Sequence, residues 1–173
     1  MTGNTAAKPI SLLVLCTGNS CRSILAEVLI NELGQGRFRA FSAGSHPAGA
    51  VNENAVEILT KYGFDSSGVA SKSWDKFNGP DAPDIDIVIT VCDNAAGESC
   101  PLWNGSPVKV HWGIPDPASA TGDAIEPAFE KALAQLRQRI ELMIELPLED
   151  FDPRMRAESL RRLHDAVLSQ EAA

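Results

Sequence analysis

Cys16 and Arg22 are separated by five residues, Thr-Gly-Asn-Ser-Cys. A connection this short between a strand and a helix must curl on itself. Its main-chain N–H groups and the first helical turn then converge on one point, and the helix dipole reinforces the resulting anion nest. Gly18 is expected to supply backbone conformations that a side chain would forbid. Arg22 offers a planar fork of donors to two oxyanion oxygens. The same donors favour an ionised sulfur: a helix N-terminus and a nearby arginine lower a cysteine pKa from about 8.5 to between about 3.5 and 7.5. A thiolate beneath a tetrahedral oxyanion is a nucleophile, and Ser23 is placed to donate to it. The expected oxyanion-binding set is Thr17, Gly18, Asn19, Ser20, Cys21, Arg22 and Ser23, with Cys16 as nucleophile.

The surrounding pattern supplies the strand and the helix that such a loop needs. Ile10 to Leu15 is a short apolar run, the signature of a buried parallel strand. After the loop, Leu25, Val28, Leu29 and Leu33 mark one face of an amphipathic helix that Gly34 and Gly36 stop. Phe38 to Ser42 fits a second strand, and Asn52 to Tyr62 a second helix with Val56, Leu59 and Tyr62 inward. Residues 65–84 are rich in Ser, Gly, Pro and Asp and are expected to be irregular around a short element. Ile85 to Val91 is a third strand ending at Cys92, and Val108 to Trp112 a fourth, running into Gly-Ile-Pro-Asp-Pro. Phe129, Leu133, Leu136, Ile140 and Met143 carry a long helix that Pro147 terminates, and Pro153 to Leu168 fits one more.

This order implies an α/β fold of three layers, a four-stranded parallel sheet flanked by helices with right-handed crossovers. Residues 1–173 are expected to form one domain, with a core at about 10–146 and a helical extension at 149–173. Ligands of open parallel sheets bind outside the carboxyl ends of the strands. Cys16, Cys92 and Asp116 all lie at or just past such ends, so three distant groups are expected on one rim.

A net charge of −8 argues against nucleic-acid or membrane-surface partners, so an anionic substrate must be attracted locally. Met1 to Pro9 does not read as a signal peptide, and no apolar run approaches the roughly 18 residues of a membrane span. A cytoplasmic location is expected, where four cysteines at 16, 21, 92 and 100 point to redox chemistry or metal rather than static bridges. His46, His111 and His164 are not spaced as metal ligands, and Trp74, Trp103 and Trp112 read as packing residues. A non-enzymatic module binding a metal or metalloid through the four cysteines is one reading, and Arg22 among them speaks against it.

Val14-Leu15-Cys16-Thr17-Gly18-Asn19-Ser20-Cys21-Arg22-Ser23, Ser42-Ala43-Gly44 and Asp116-Pro117 together resemble the low-molecular-weight protein tyrosine phosphatase superfamily, over about residues 10–146. The resemblance implies that fold and makes Asp116 the general acid for the leaving oxygen. Cys21, by the same likeness, packs the loop rather than reacts.

Two branches of the superfamily share this loop. A phosphatase hydrolysing phosphate monoesters needs one cysteine, one arginine and one aspartate. The arsenate reductases must also deliver two electrons, which come from thiols. Cys92 and Cys100 supply a second pair, and His111-Trp112-Gly113 and Thr17-Gly18-Asn19-Ser20 resemble the reductases. Ala118-Ser119-Ala120 follows the Asp-Pro, where phosphatases often carry tyrosines for an aromatic substrate. The implied activity is reduction of arsenate to arsenite by a relay through Cys16, Cys92 and Cys100, with phosphate or sulfate as site analogues. Thioredoxin is the implied reductant. The seven residues between Cys92 and Cys100, one more than is usual in that branch, leave glutaredoxin and mycothiol open. No tightly bound cofactor is expected. The resemblance does suggest a monovalent cation, potassium, near Asn19, Glu27 and Ser42, although Asn19 also serves as a brace and Glu27 as a surface charge.

Overall fold

A strand buried on both faces must be apolar throughout, and the first strand, β1 (Ile10–Leu15), has every residue buried. In the computed structural model, which describes residues 7–173, β1 pairs in parallel with β2 (Phe38–Ala43) and β3 (Ile87–Thr90), and β3 with β4 (Val108–His111). The order β2-β1-β3-β4 makes a four-stranded, all-parallel sheet flanked by helices. Met1 to Ala6, most of the N-terminal stretch weighed as a signal peptide, lie outside the described residues. Among the described residues no helix is long and apolar enough to cross a membrane.

Alternate residues of β1 enter different cores. Leu12 and Val14 join the larger one, built with α1 (Arg22–Leu33), α2 (Glu53–Lys61), α4 (Ile125–Glu145) and α5 (Pro153–Glu171). Leu13 and Leu15 join a smaller one closed by Phe77, Ile85 and Trp103. This second face is covered by the irregular residues after α2, around a 3₁₀ turn at Trp74–Phe77, and by residues beyond the short helix α3 (Asp93–Gly97), Cys100 and Trp103 among them. Trp74 meets Trp103 edge-on at 6.1 Å, a packing role as expected.

Three local expectations change in the folded chain. α1 is not one-sided: Ser23 through Ile30 are all buried, because the helix is enclosed by the sheet and by α4. The inward side of α2 is Ala55, Ile58 and Leu59, and Tyr62 caps the helix with half its surface exposed, beside Lys61. Cys92 starts α3 rather than an open loop, its Sγ accepting from the main-chain N–H of Ala95 at 3.4 Å.

The C-terminal extension is attached to the edge of the sheet. Asp152 caps α5 through the Met155 N–H (2.8 Å), and the Trp112 indole N–H donates to the Leu160 carbonyl (3.0 Å). Fully buried Arg139 on α4 donates to His164 Nδ1 (3.0 Å) and to Glu171 (3.1 Å) on α5. His164 accepts through Nδ1, so its ring is neutral. Burial first, and then the Arg139 charge, hold its pKa below the ordinary value.

Candidate active site

The loop of residues 16–22 joins the end of β1 to the start of α1. Its carbonyls are drawn outward: Thr17 O accepts from His46 N (3.0 Å), Gly18 O from Ala48 N (2.9 Å) and Ser20 O from Asn52 N (3.0 Å). With the carbonyls turned to the segment after β2, the loop's own N–H groups are left to face its interior, as an anion nest requires.

Asn19, fully buried at φ +46°, is the residue in left-handed backbone, so that strain falls on Asn19 and not on Gly18. Its amide offsets the strain with three hydrogen bonds. Nδ2 donates to Ser23 Oγ (2.8 Å) and Ser42 Oγ (2.9 Å), and Oδ1 accepts from Lys72 N (2.9 Å). Ser23, expected to donate to the Cys16 sulfur, accepts in this brace and keeps its O–H available as a donor. A Cβ at Gly18 would meet nothing closer than 3.7 Å. The glycine that the loop requires is Gly44, just past β2, where a Cβ would lie 2.4 Å from Thr17 O, 2.9 Å from Cys16 O and 3.0 Å from Asn19 N.

Arg22 spends one guanidinium nitrogen on the Ile114 carbonyl (3.0 Å), and Nη2 lies 3.9 Å from Asp116 Oδ2. Its Nε is buried with no partner among the described residues. Buried donors are ordinarily satisfied, so the Nε–Nη2 edge is the fork that fits an oxyanion. Asp116 is half exposed and caps the 3₁₀ turn Pro117–Ser119 through Ala118 N (3.0 Å), which sets its carboxylate at the rim beside Arg22. Cys21 is buried at the head of α1, 3.7 Å from Ser20 Oγ.

Cys92 is brought to the nucleophile by strand register. Leu15 aligns with Thr90, and Val91 N donates to Leu15 O (3.0 Å), so the residues following β1 and β3 share the rim. Thr17 Oγ1 lies 3.6 Å from Cys92 Sγ, and the Cys16 and Cys92 thiols are near enough to perturb each other's ionisation. The Cys16 thiol, then the N–H of Ala95, lower Cys92 to about 5 against the opposing effect of burial. The Cys92 thiol and burial push Cys16 above the ordinary thiol range, with Arg22 acting the other way. The pairing therefore favours ionisation of Cys92 over Cys16. Cys16→Ala should raise the Cys92 pKa from about 5 toward the ordinary thiol value of 9.0, because its largest lowering cause disappears. Thiolate absorbance at 240 nm, followed from pH 4 to 10 and corrected with a Cys16→Ala/Cys92→Ala double variant, measures it. A transition still near pH 5 in the single variant would refute the influence of Cys16 on Cys92.

Cys100 stands apart. Its Sγ points to the Glu98 carbonyl (3.7 Å) and its side chain packs at the edge of the smaller core. All four cysteines are free thiols. Around the site, Glu98 and Asp93 have no marker in the sequence, whereas His111 belongs to the His-Trp-Gly already singled out. Glu98 accepts from Thr17 Oγ1 (3.4 Å). His111 links Thr90 Oγ1 (2.8 Å) to Asp93 Oδ1 (2.9 Å), tying the first residue of α3 to the end of β4.

The residues suggested for a monovalent cation do meet, but around a side chain. Glu27 is buried rather than a surface charge, and Lys72 Nζ lies 3.8 Å from its Oε1, 3.4 Å from Ser42 Oγ and 2.8 Å from the Ala70 carbonyl. Burial pushes the Glu27 carboxyl up and the Lys72 ammonium down, each countered by the charge of the other. Asn19 presents its amide nitrogen to Ser42, and its oxygen is taken by Lys72 N. This arrangement does not fit a metal cation.

A Cys-x5-Arg loop at the head of the first strand of a parallel sheet, with an aspartate at its rim, defines a class of α/β proteins that cradle a tetrahedral oxyanion above a cysteine. The chain belongs to the low molecular weight phosphotyrosine protein phosphatase family, whose model matches residues 11–151. It is 36% identical over 133 residues, 76% of this chain and 92% of the relative, to an arsenate reductase of Halalkalibacterium halodurans. A solved arsenate reductase in its phosphate-binding state superposes with a TM-score of 0.65 at 27% identity, over 78% of this chain and 96% of the other. The thioredoxin-dependent arsenate reductase of Corynebacterium glutamicum gives 0.55 at 25% identity, over 81% and 66%.

Proposed function

We propose that this protein reduces arsenate to arsenite through Cys16, Cys92 and Cys100, with thioredoxin as the reductant. The observation that carries this reading is the second thiol, Cys92, brought beside the nucleophile loop by the β1–β3 register, 3.6 Å from Thr17 Oγ1. Hydrolysis has no use for a sulfur there, whereas two-electron reduction needs one.

Arsenate enters the nest and takes the Arg22 fork. The proton of the Cys16 thiol passes to Cys92, and the Cys16 thiolate attacks arsenic. A sulfur–arsenic bond forms, an arsenic–oxygen bond breaks, and Asp116 protonates the departing oxygen, which leaves as water. Cys92 gives its proton up to the Asp116 carboxylate, now vacated, or to water, and as a thiolate attacks the Cys16 sulfur. The sulfur–arsenic bond breaks with its electron pair staying on arsenic, so As(V) becomes As(III) as the two thiols become a disulfide. Cys100 then attacks the Cys92 sulfur and frees the Cys16 thiolate. α3 lies between Cys92 and Cys100 and must unwind for this step. Five residues with one side-chain cap and exposed neighbours make it an element of low cost to open. An external dithiol reduces the Cys92–Cys100 disulfide. The arsenate reductase relatives support the reaction, and the Corynebacterium glutamicum relative supports the reductant.

NADPH oxidation with arsenate and a thioredoxin/thioredoxin reductase couple tests both parts. Sustained turnover is expected there, well above the rate with glutathione and glutaredoxin. Faster turnover with glutaredoxin would replace the reductant. No turnover with either couple, from a protein that still hydrolyses an aryl phosphate, would overturn the reaction.

A further inference from the structure

We infer that the ammonium group of Lys72 is a built-in cation, which takes the place of a monovalent metal ion behind the oxyanion loop and makes that loop independent of potassium. Glu27 sits on α1 with almost no exposed surface, and a buried carboxylate requires a counter-charge. Lys72 meets that need from the segment after α2, with Nζ directed at Glu27, Ser42 and the Ala70 carbonyl. Those are the oxygens that a bare cation would need, and each is engaged by one side chain that cannot diffuse away.

The consequence reaches the loop through the main chain. Lys72 N donates to Asn19 Oδ1 (2.9 Å), Lys72 O accepts from Gly44 N (2.9 Å), and the neighbouring Ser71 Oγ donates to Gly18 O (3.1 Å). Fixing the Lys72 side chain therefore fixes the strap that holds Asn19 in its left-handed conformation. Lys72 touches no bound oxyanion and is a positioning residue. Phosphate binding reads this role directly, so the inference stands or falls separately from the arsenic chemistry.

Two measurements test it, the melting temperature and the phosphate affinity by calorimetry, each in potassium, sodium and choline chloride at equal ionic strength. The native protein should give the same values in all three salts. Lys72→Met, which keeps the stem and removes the charge, should lower Tm by about 4–8 °C and weaken phosphate several-fold, because Glu27 is left unpaired. Adding Glu27→Gln should recover most of the lost Tm. Lys72→Ala should acquire a potassium-dependent rise in Tm that choline does not produce. The inference is overturned if potassium specifically stabilises the native protein, or if Lys72→Met leaves both quantities unchanged. It is overturned equally if Lys72→Ala responds to potassium no more than the native protein does. Should Lys72→Ala not fold, the native salt comparison and Lys72→Met decide the matter alone.

Discussion

Replacing Cys92 with serine should abolish multiple-turnover arsenate reduction, by at least about a thousandfold, while leaving hydrolysis of a small aryl phosphate intact. Serine keeps the shape and a hydrogen bond beside Cys16 but cannot form the disulfide that carries two electrons away. Cys16, the Arg22 fork and the Asp116 carboxylate remain, and these suffice for displacement at phosphorus. The mutual influence of the two thiols sharpens the expectation. Losing Cys92 removes the largest influence holding the Cys16 pKa up, so more Cys16 is ionised near neutral pH and hydrolysis should rise, not fall. NADPH-coupled turnover and p-nitrophenol release, measured on the same preparation, separate the two activities. Arsenate turnover that survives Cys92→Ser with a thioredoxin couple would remove Cys92 from the relay.

The largest structural effect is expected from one added methyl group. Gly44→Ala places a Cβ 2.4 Å from the Thr17 carbonyl and within 3.0 Å of two further backbone atoms, none of which can rotate away. Overpacking of this kind costs about 1–3 kcal/mol, or about 2–12 °C of Tm in a chain of this size. The displaced atoms belong to the nest, so phosphate affinity should fall more than tenfold. Gly18→Ala is the control: its nearest contacts, 3.7 and 4.0 Å, are ordinary, and both Tm and phosphate binding should survive. Thermal unfolding and phosphate calorimetry of the pair check this. Equal tolerance at both positions would mean that the loop does not rest on Gly44.

The contrast between these two glycines shows how far local pattern reaches. Gly18 draws attention because it lies inside the motif, yet the strained residue is its neighbour Asn19, and the glycine the loop rests on lies just past another strand. Local spacing reports which residues must curl together, but not which distant backbone supports the curl. α1 is legible as a helix but not as a fully enclosed one, because periodicity cannot show that α4 covers its far side. The same periodicity points Tyr62 inward, whereas it lies at a helix end where the chain turns away. Lys72 has no signal at all. It is one charge in a polar stretch until Glu27 and Ser42 are brought beside it.

Hydrophobic period alone dictates the alternation of strands and helices and the parallel sheet, and a loop too short to do anything else dictates the Cys16–Arg22 nest. Cys92 and Asp116 join the same rim through their places at strand ends, which the residue pattern also reveals. Folding was needed to show that Cys92 lies close enough to Cys16 to perturb its ionisation, that Arg22 keeps one edge free, and that a lysine stands where a metal ion was expected. Those facts depend on the register between β1 and β3, some seventy-five residues apart, and on what each buried charge finds as a neighbour. Neither is encoded in the spacing of any single segment.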